Sequence, residues 1–239
     1  VKAMFSIPNV NNPLGFSMPV WKKKKLVQLL TEKNIPLIED DIYGDLGFET
    51  RDETCKAFDA EGNVMLCSSF SKTLAPGLRV GWIVPGKYYD QVIKMKTLLN
   101  ISTASINQIV VARYLKEGGY ERHLRKLRKD LKNQVSGLRA CILKHFPKGT
   151  NVTNPSGGFL LWVELPESID TDVIYQDAVK ENILIAPGNL FTMKDKYSNC
   201  MRLNAGFWNE QVEKAIKHIG QLCVDQQKNT VKKIIKIAS

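Results

Sequence analysis

The sequence predicts an α/β fold built on a mostly parallel sheet, and three features carry that reading. Short apolar runs at Lys2–Ile7, Leu37–Ile38, Val64–Cys67 and Val80–Val84 alternate with a helical segment and polar connections. That is the rhythm of strand–helix–strand units. Polar clusters follow the first three runs: Asn12, the Asp40–Tyr43 group and the Ser69–Lys72 turn. In such sheets ligands collect outside the carboxyl ends of the strands, so all three clusters are expected on one rim. The composition, 44% hydrophobic and 24% charged over 239 residues, suits a globular protein with one sizeable core or two modest ones.

Taken in order, the strand at Lys2–Ile7 ends in Pro8-Asn9-Val10-Asn11-Asn12-Pro13-Leu14-Gly15, a loop dense in turn residues. Ser17 is expected to cap a helix with Pro19 in its first turn, running to about Lys33 with Leu26, Leu29 and Leu30 facing inward. Asn34-Ile35-Pro36 stops it. Beyond Val84, Pro85-Gly86 opens a helix through Val92, Ile93 and Met95, and another follows near Gln108–Lys116. Gly118-Gly119 marks the expected boundary between two domains, 1–118 and 119–239. A long amphipathic helix is predicted from about Tyr120 to Phe146, with Leu124, Leu127, Leu131, Val135, Leu138 and Ile142 at three- and four-residue spacings. Strand and helix then alternate: Phe159–Glu164, Thr171–Glu181, Ile183–Ala186, Cys200–Leu203 and a final helix from about Asn209 to Cys223. The polar, basic tail after it is expected to be mobile.

The net charge of +10 is concentrated in Lys22–Lys25, in Arg122–Lys132 and in the tail lysines Lys228, Lys232, Lys233 and Lys236. These runs carry no aromatic interleaving and read as solvated helix faces, not as a nucleic-acid surface. Cys55, Cys67, Cys141, Cys200 and Cys223 are odd in number and scattered, which argues for reduced thiols in a cytoplasm. His123, His145 and His218 have no metal-ligand spacing and read as structural or surface histidines; no metal is expected. No apolar run approaches a membrane span, and no membrane partner is expected. The chain opens on a strand already under way and has no initiator Met, so it is expected to be a piece of a longer protein.

The chemistry centres on Cys67-Ser68-Ser69-Phe70-Ser71-Lys72-Thr73-Leu74-Ala75-Pro76-Gly77-Leu78-Arg79-Val80-Gly81. Ser69 and Ser71 precede Lys72, and Arg79 follows it by seven residues. Hydroxyls and a guanidinium gathered in one turn make a seat for a dianionic phosphate. A lysine beside that seat, in mostly apolar surroundings, would have its ammonium form disfavoured, so its neutral amine could attack a carbonyl and form a Schiff base. Together these mark a pyridoxal 5'-phosphate site. The same letters also suit a polar loop with a solvated arginine.

Four motifs stand in order: Asn11-Asn12-Pro13-Leu14-Gly15, Asp40-Asp41-Ile42-Tyr43, the lysine turn and Cys200-Met201-Arg202-Leu203-Asn204. In order and spacing they resemble the fold-type-I pyridoxal-phosphate enzymes of aminotransferase class I/II, over essentially the whole chain up to about Cys223. The resemblance implies the type I PLP-dependent transferase fold, with part of a large domain over 1–118 and a smaller C-terminal domain over 119–239. It makes Lys72 the Schiff-base lysine and proton shuttle, and Asp40 the carboxylate on the pyridine nitrogen. Asp41 is set aside, because the spacing to Tyr43 favours Asp40. Asn12 and Tyr43 match the pair on the cofactor's phenolic oxygen. Ser69, Ser71 and Arg79 match phosphate ligands, and Arg202 the clamp on a substrate α-carboxylate, a contact that suits a planar fork. Outside the family, Arg202 reads as one half of a structural salt bridge.

The wording of the lysine turn, with Asn100-Ile101-Ser102-Thr103 and Arg122-His123-Leu124-Arg125-Lys126-Leu127-Arg128, resembles the aminotransferase-like domain of MocR-type regulators, a branch of the GntR family. That resemblance implies an effector-sensing, dimerising domain that takes an amino acid or 2-oxo acid. DNA would be bound only through a winged helix-turn-helix upstream. A free-standing aminotransferase and a non-catalytic dimerisation module are the alternatives. The family's glycine-rich phosphate turn, its ring-stacking aromatic and several strands lie upstream of this stretch, so the piece alone is not expected to retain the cofactor tightly. The strand at Lys2–Ile7 is expected to present an open edge.

Overall fold

The computed structural model describes the backbone of residues 1–238 and the side chains of residues 1–229. The chain divides into two compact units. The first comprises Val1–Asn11 and Phe16–Lys129, the second Asn12–Gly15 and Asp130 onward.

In the first unit, β1 (Met4–Ser6), β2 (Leu37–Asp40), β3 (Val64–Ser69) and β4 (Gly81–Val84) form one sheet in that order. The first three strands run parallel, and β4 is antiparallel to β3. Asp40 pairs with Cys67, so β2 and β3 end side by side and their following loops leave together. The edge at β1 is open among the described residues, with Phe5 exposed.

Helix α1 (Val20–Glu32) links β1 to β2. Its N-cap is Pro19, whose carbonyl accepts from Lys22 and Lys23 N–H. Ser17 does not cap it; the hydroxyl accepts instead from the Val10 N–H at 3.1 Å and pins the preceding loop. The buried face is Lys23, Val27 and Leu30, while Leu29 is exposed. Val27 and Leu30 close on Leu37, Cys55 and Val64, with Leu26 partly buried beside them. Lys23 departs from the solvated run expected at Lys22–Lys25. Its ammonium donates to the Asn9 side-chain oxygen at 2.5 Å and to the Glu53 carbonyl at 2.7 Å, which makes a buried charge tolerable.

The acidic segment after β2 is held by two enclosed carboxylates. Glu39 accepts from Cys55 N–H at 2.6 Å and Lys56 N–H at 2.9 Å. Asp41 is buried and accepts from the Asn9 side-chain amide at 2.9 Å and from Arg51 Nη2 at 2.6 Å. Burial pushes the Asp41 carboxyl above its usual range, against the pull of Asn9 and Arg51. Arg51 also donates through Nε to Asp45 at 2.7 Å.

After β4 come α2 (Tyr89–Asn100) and α3 (Ser105–Lys116), which expose much of their apolar surface, including Leu98, Leu99 and Ile106, as does Ile101 in the connection between them. Helix α4 (Gly119–His145) follows the predicted periodicity. Leu124, Leu131, Val135, Leu138 and Ile142 are buried, and Leu127 is half-buried. The division between the two compact units falls within α4.

The second unit holds β5 (Asn151–Val152), β6 (Leu160–Glu164), β7 (Ala186–Pro187) and β8 (Cys200–Asn204) in the antiparallel order β5-β6-β8-β7. Helix α5 (Thr171–Lys180) starts at Asp170, whose carboxylate accepts from Asp172 N–H at 2.8 Å. The strand expected at Ile183–Ala186 is short and lies later, at Ala186–Pro187. Asn182 and Ile183 close the end of α5 instead, donating to the Val179 and Ala178 carbonyls. The core joins buried residues of β6 and β8 with Ile174 and Ala178 of α5 and with Ile216, Ile219 and Cys223 of α6 (Glu210–Ala238). Helix α6 continues through the stretch expected to be a mobile tail; the side chains of Lys232, Lys233 and Lys236 lie outside the described residues. Among the described residues no helix is long and apolar enough to cross a membrane, and no group of three or more His, Cys, Asp or Glu could hold a metal ion.

Asp41→Ala leaves the buried Asn9 amide without its carboxylate acceptor and Arg51 with Asp45 alone. It is expected to lower the unfolding free energy by about 1–3 kcal/mol, read as a shifted urea midpoint with an unchanged slope.

Candidate active site

The sequence-predicted residues fall into two groups, one in each unit. In the first unit the loops after β2 and β3 are cross-tied through Asp41: its N–H donates to the Cys67 carbonyl at 2.9 Å, and its carbonyl accepts from the Ser68 hydroxyl at 3.2 Å. These ties fix the spacing between the Asp40–Tyr43 segment and the lysine turn.

Asp40 and Asp41 have different work. Asp41 is buried and spent on Asn9 and Arg51. Asp40 is half-buried, and among the described residues its carboxylate accepts one hydrogen bond, from Ile42 N–H at 3.1 Å. Burial pushes the Asp40 carboxyl up, with the Ile42 N–H opposing. A carboxylate with spare acceptor capacity and a desolvation cost suits a cation laid against it. Tyr43 is buried at the head of a short 3-10 turn, Gly44–Leu46, with its backbone in the bridge region at φ −103° and ψ −5°.

The lysine turn is framed by the β3–β4 pairing, in which Ser69 faces Gly81. A side chain at Gly81 would meet the Ser68 carbonyl oxygen at 2.9 Å, so the close approach of the two strands needs glycine there. Phe70 N–H donates to the Val80 carbonyl at 3.0 Å, and Leu74 and Ala75 N–H both reach the Phe70 carbonyl, at 2.8 and 3.2 Å. Ser69 Oγ accepts from Ser71 N–H at 3.3 Å. Arg79 takes a left-handed backbone, φ 51°, which turns its guanidinium back over the turn. Its Nη1 reaches Ser71 Oγ at 3.5 Å and the Pro76 carbonyl at 3.3 Å. Two hydroxyls, an amide and a guanidinium are thereby collected around one spot, a fitting seat for an oxyanion.

One expectation is corrected. Lys72 was expected in mostly apolar surroundings, and it is exposed. The turn pushes its side chain outward while Thr73, next in sequence, takes the buried position.

In the second unit, Arg202 lies on β8, opposite Trp162 on β6 and Ala186 on β7. Its Nη1 donates to the Asn12 side-chain oxygen at 3.0 Å, and its guanidinium stands over the Phe191 ring, 5.1 Å from the centroid. Among the described residues Arg202 makes no ion pair, so the salt-bridge reading has no partner to stand on. The loop carrying Asn12 depends on Gly15 at φ +72°, where a side chain would press on the Leu160 carbonyl and Pro155 at 3.1 Å.

Sequence reasoning missed Asn9 and Arg51, which hold the carboxylate beside Asp40. Asn9 sits in a loop already rich in turn residues, where an asparagine carries no distinctive signal. Arg51 lies in an irregular connection, and only its fork geometry, made for carboxylates, hinted at a partner.

The aminotransferase class I and II family matches residues 1–219 of the chain. The uncharacterized HTH-type transcriptional regulator YjiR of Escherichia coli K12 is 39% identical over 223 residues, covering 92% of this chain and 47% of YjiR. Aromatic-amino-acid aminotransferase 1 of Thermococcus litoralis is 31% identical over 232 residues, covering 95% of this chain and 55% of that enzyme. The crystal structure of Pyrococcus horikoshii kynurenine aminotransferase, solved in complex with PMP, superposes with a TM-score of 0.86 at 31% identity, over 96% of this chain and 56% of that one. The chain spans about half the length of these relatives. With a family match over nearly its whole length and the fold of a solved aminotransferase, the chain belongs to the aminotransferase class I and II family.

Proposed function

We propose that this chain is the pyridoxal-phosphate-binding, effector-sensing part of a cytoplasmic MocR-type transcriptional regulator and retains the groups for transaminase chemistry. The observation that carries the cofactor reading is the convergence of Ser69, Ser71 and Arg79 next to Lys72, with Asp40 left free to accept at the end of the neighbouring strand. Identity with YjiR over 92% of the chain supports the regulator assignment. The open apolar surface of α2 and α3 supports assembly as a homodimer, and DNA would be engaged through a separate helix-turn-helix domain.

Each residue has a definable task. Ser69, Ser71 and Arg79 hold the phosphate. Asp40 would face the ring nitrogen and keep it protonated, and that cation would favour the carboxylate form that burial opposes. Tyr43 contributes its hydroxyl, and Asn12 its side-chain amide, toward the phenolic oxygen. Lys72 would supply the amine that holds the cofactor's aldehyde carbon, with water released, and, once a substrate amine displaces it, would move a proton at the substrate's α-carbon. When bound, the cofactor supplies an electron sink for bond breaking at an amino acid's α-carbon. Arg202, unpaired and steadied by Asn12 and Phe191, receives the α-carboxylate of an amino acid or 2-oxo acid.

A free-standing aminotransferase is the second reading, favoured by the superposition on the kynurenine enzyme. The two separate on whether the whole protein binds DNA and whether amino acids turn over or only alter that binding.

Borohydride reduction of the whole protein with pyridoxal phosphate, followed by peptide mass spectrometry, is expected to place a pyridoxyl group on Lys72. Lys72→Ala is expected to abolish it with an unchanged urea midpoint; label elsewhere, or none on a folded wild type, refutes the assignment. Arg202→Lys keeps the charge and loses the fork. It is expected to raise the amino-acid concentration for half-maximal spectral change by about 10–100-fold.

Asp40 adds a pH dependence. Its folded-state carboxyl lies above the unfolded value, so its stabilising contribution is complete below the unfolded value and is lost as pH rises through the folded one. Cofactor-free Asp40→Asn is therefore expected to match or exceed wild-type stability at neutral pH. That advantage shrinks as the pH falls through the raised folded value and is gone below about 4, measured by urea unfolding across pH.

A further inference from the structure

The Arg122–Arg128 run opens α4, and its inward residues are engaged with the lysine turn. His123 Nε2 lies 2.6 Å from the Thr73 carbonyl oxygen. A carbonyl oxygen only accepts, so Nε2 is the ring nitrogen that carries the proton. One turn earlier, Tyr120 meets the Phe70 ring edge-on, with centroids 5.8 Å apart and planes at 79°. Its hydroxyl donates to Asp45 at 2.9 Å. Leu124 is buried on the same face, and Arg128 Nε donates to the Asp45 carbonyl at 2.7 Å.

Phe70 and Thr73 bracket Lys72. Between them the backbone makes a single helical turn, closed by Leu74 and Ala75 N–H on the Phe70 carbonyl. A lone turn leaves its later carbonyls without main-chain donors, and at Thr73 that donor is the imidazole of His123. Lys72 is exposed, so packing around its own side chain does not set its direction. Its backbone sets it, and that backbone is gripped on one side through Phe70 and on the other through Thr73.

We propose that His123 is a positioning residue for Lys72, holding the lysine's turn through the Thr73 carbonyl while Tyr120 holds the Phe70 side. The proposal rests on Lys72 being the residue that bonds the cofactor, and it adds a role for a histidine that acts through the backbone of the turn.

The test compares His123→Ala and His123→Gln in the whole protein. Amide hydrogen exchange at Leu74 and Ala75 is read without cofactor, and borohydride trapping at Lys72 is read with pyridoxal phosphate. His123→Ala is expected to speed exchange at both amides about fivefold to tenfold, the loss of one net hydrogen bond, and to slow trapping by a similar factor. His123→Gln, whose amide N–H can reach the same carbonyl, is expected to restore both. Unchanged exchange and trapping in a folded His123→Ala protein overturn the proposal, as does a glutamine variant that behaves like alanine. If the alanine variant does not fold, nitrogen-15 NMR of the wild type decides. A proton on Nε2 supports the contact, and a neutral ring protonated only on Nδ1 overturns it. Wild type that shows no label on Lys72 removes the lysine reading alone, and the exchange comparison still judges the grip of His123 on the turn.

Discussion

The enclosed carboxylate of Asp41 is the constraint on which the first unit's polar architecture depends. Its side chain is taken from water and offered only Asn9 and Arg51 in exchange. Each partner is then committed elsewhere: Asn9 to the buried ammonium of Lys23, Arg51 to Asp45, and Asp45 to Tyr120. A run of charge-assisted contacts thus passes from α1 through the loops after β1 and β2 to the start of α4. A carboxylate in low dielectric left without these donors would be costly, so the partners are as constrained as Asp41 itself. Its backbone adds a second tie, to Cys67 and Ser68, so two loops with no regular structure inherit the precision of the sheet.

The two adjacent aspartates show how a short sequence can hold both scaffold and chemistry. One, fully buried, has its oxygens filled by neighbours; the other, half-buried, keeps them available. A desolvated carboxyl with one backbone donor is a poor stabilising element. Arg202 is the corresponding case in the second unit, a half-buried guanidinium facing an aromatic ring and an amide oxygen, with no acid among the described residues. Groups that contribute little to stability as they stand mark where a ligand contributes instead.

Much of this was legible from the residues. The strands and helices of both units follow from apolar runs and three- and four-residue periodicity, because burial against a sheet or a second helix is what those patterns encode. The candidate site was legible where chemistry is local, as in the lysine turn, whose serines and Arg79 converge as their spacing implied. Asp40 was distinguished from Asp41 only by its distance in sequence from Tyr43. Long-range pairing was not legible. Lys23 looked like one lysine of a solvated run, and its burial depends on Asn9 and Glu53, remote in sequence. Ser17 had the letter of a helix cap, but the chain turned it toward Val10. His123 carried no signal beyond its ring, because its partner is a backbone carbonyl that any residue could have supplied.

The exposure of Lys72 bears on the order in which a site of this kind assembles. An amine open to solvent meets free aldehydes without discrimination. A phosphate seat a few residues away changes that encounter from bimolecular to intramolecular, because an aldehyde tethered through its phosphate has a high effective concentration at the amine. Selectivity then resides in capture, at Ser69, Ser71 and Arg79, and bond formation follows from proximity. Replacing the seat while keeping the lysine would leave an amine that reacts slowly and with many carbonyl compounds alike.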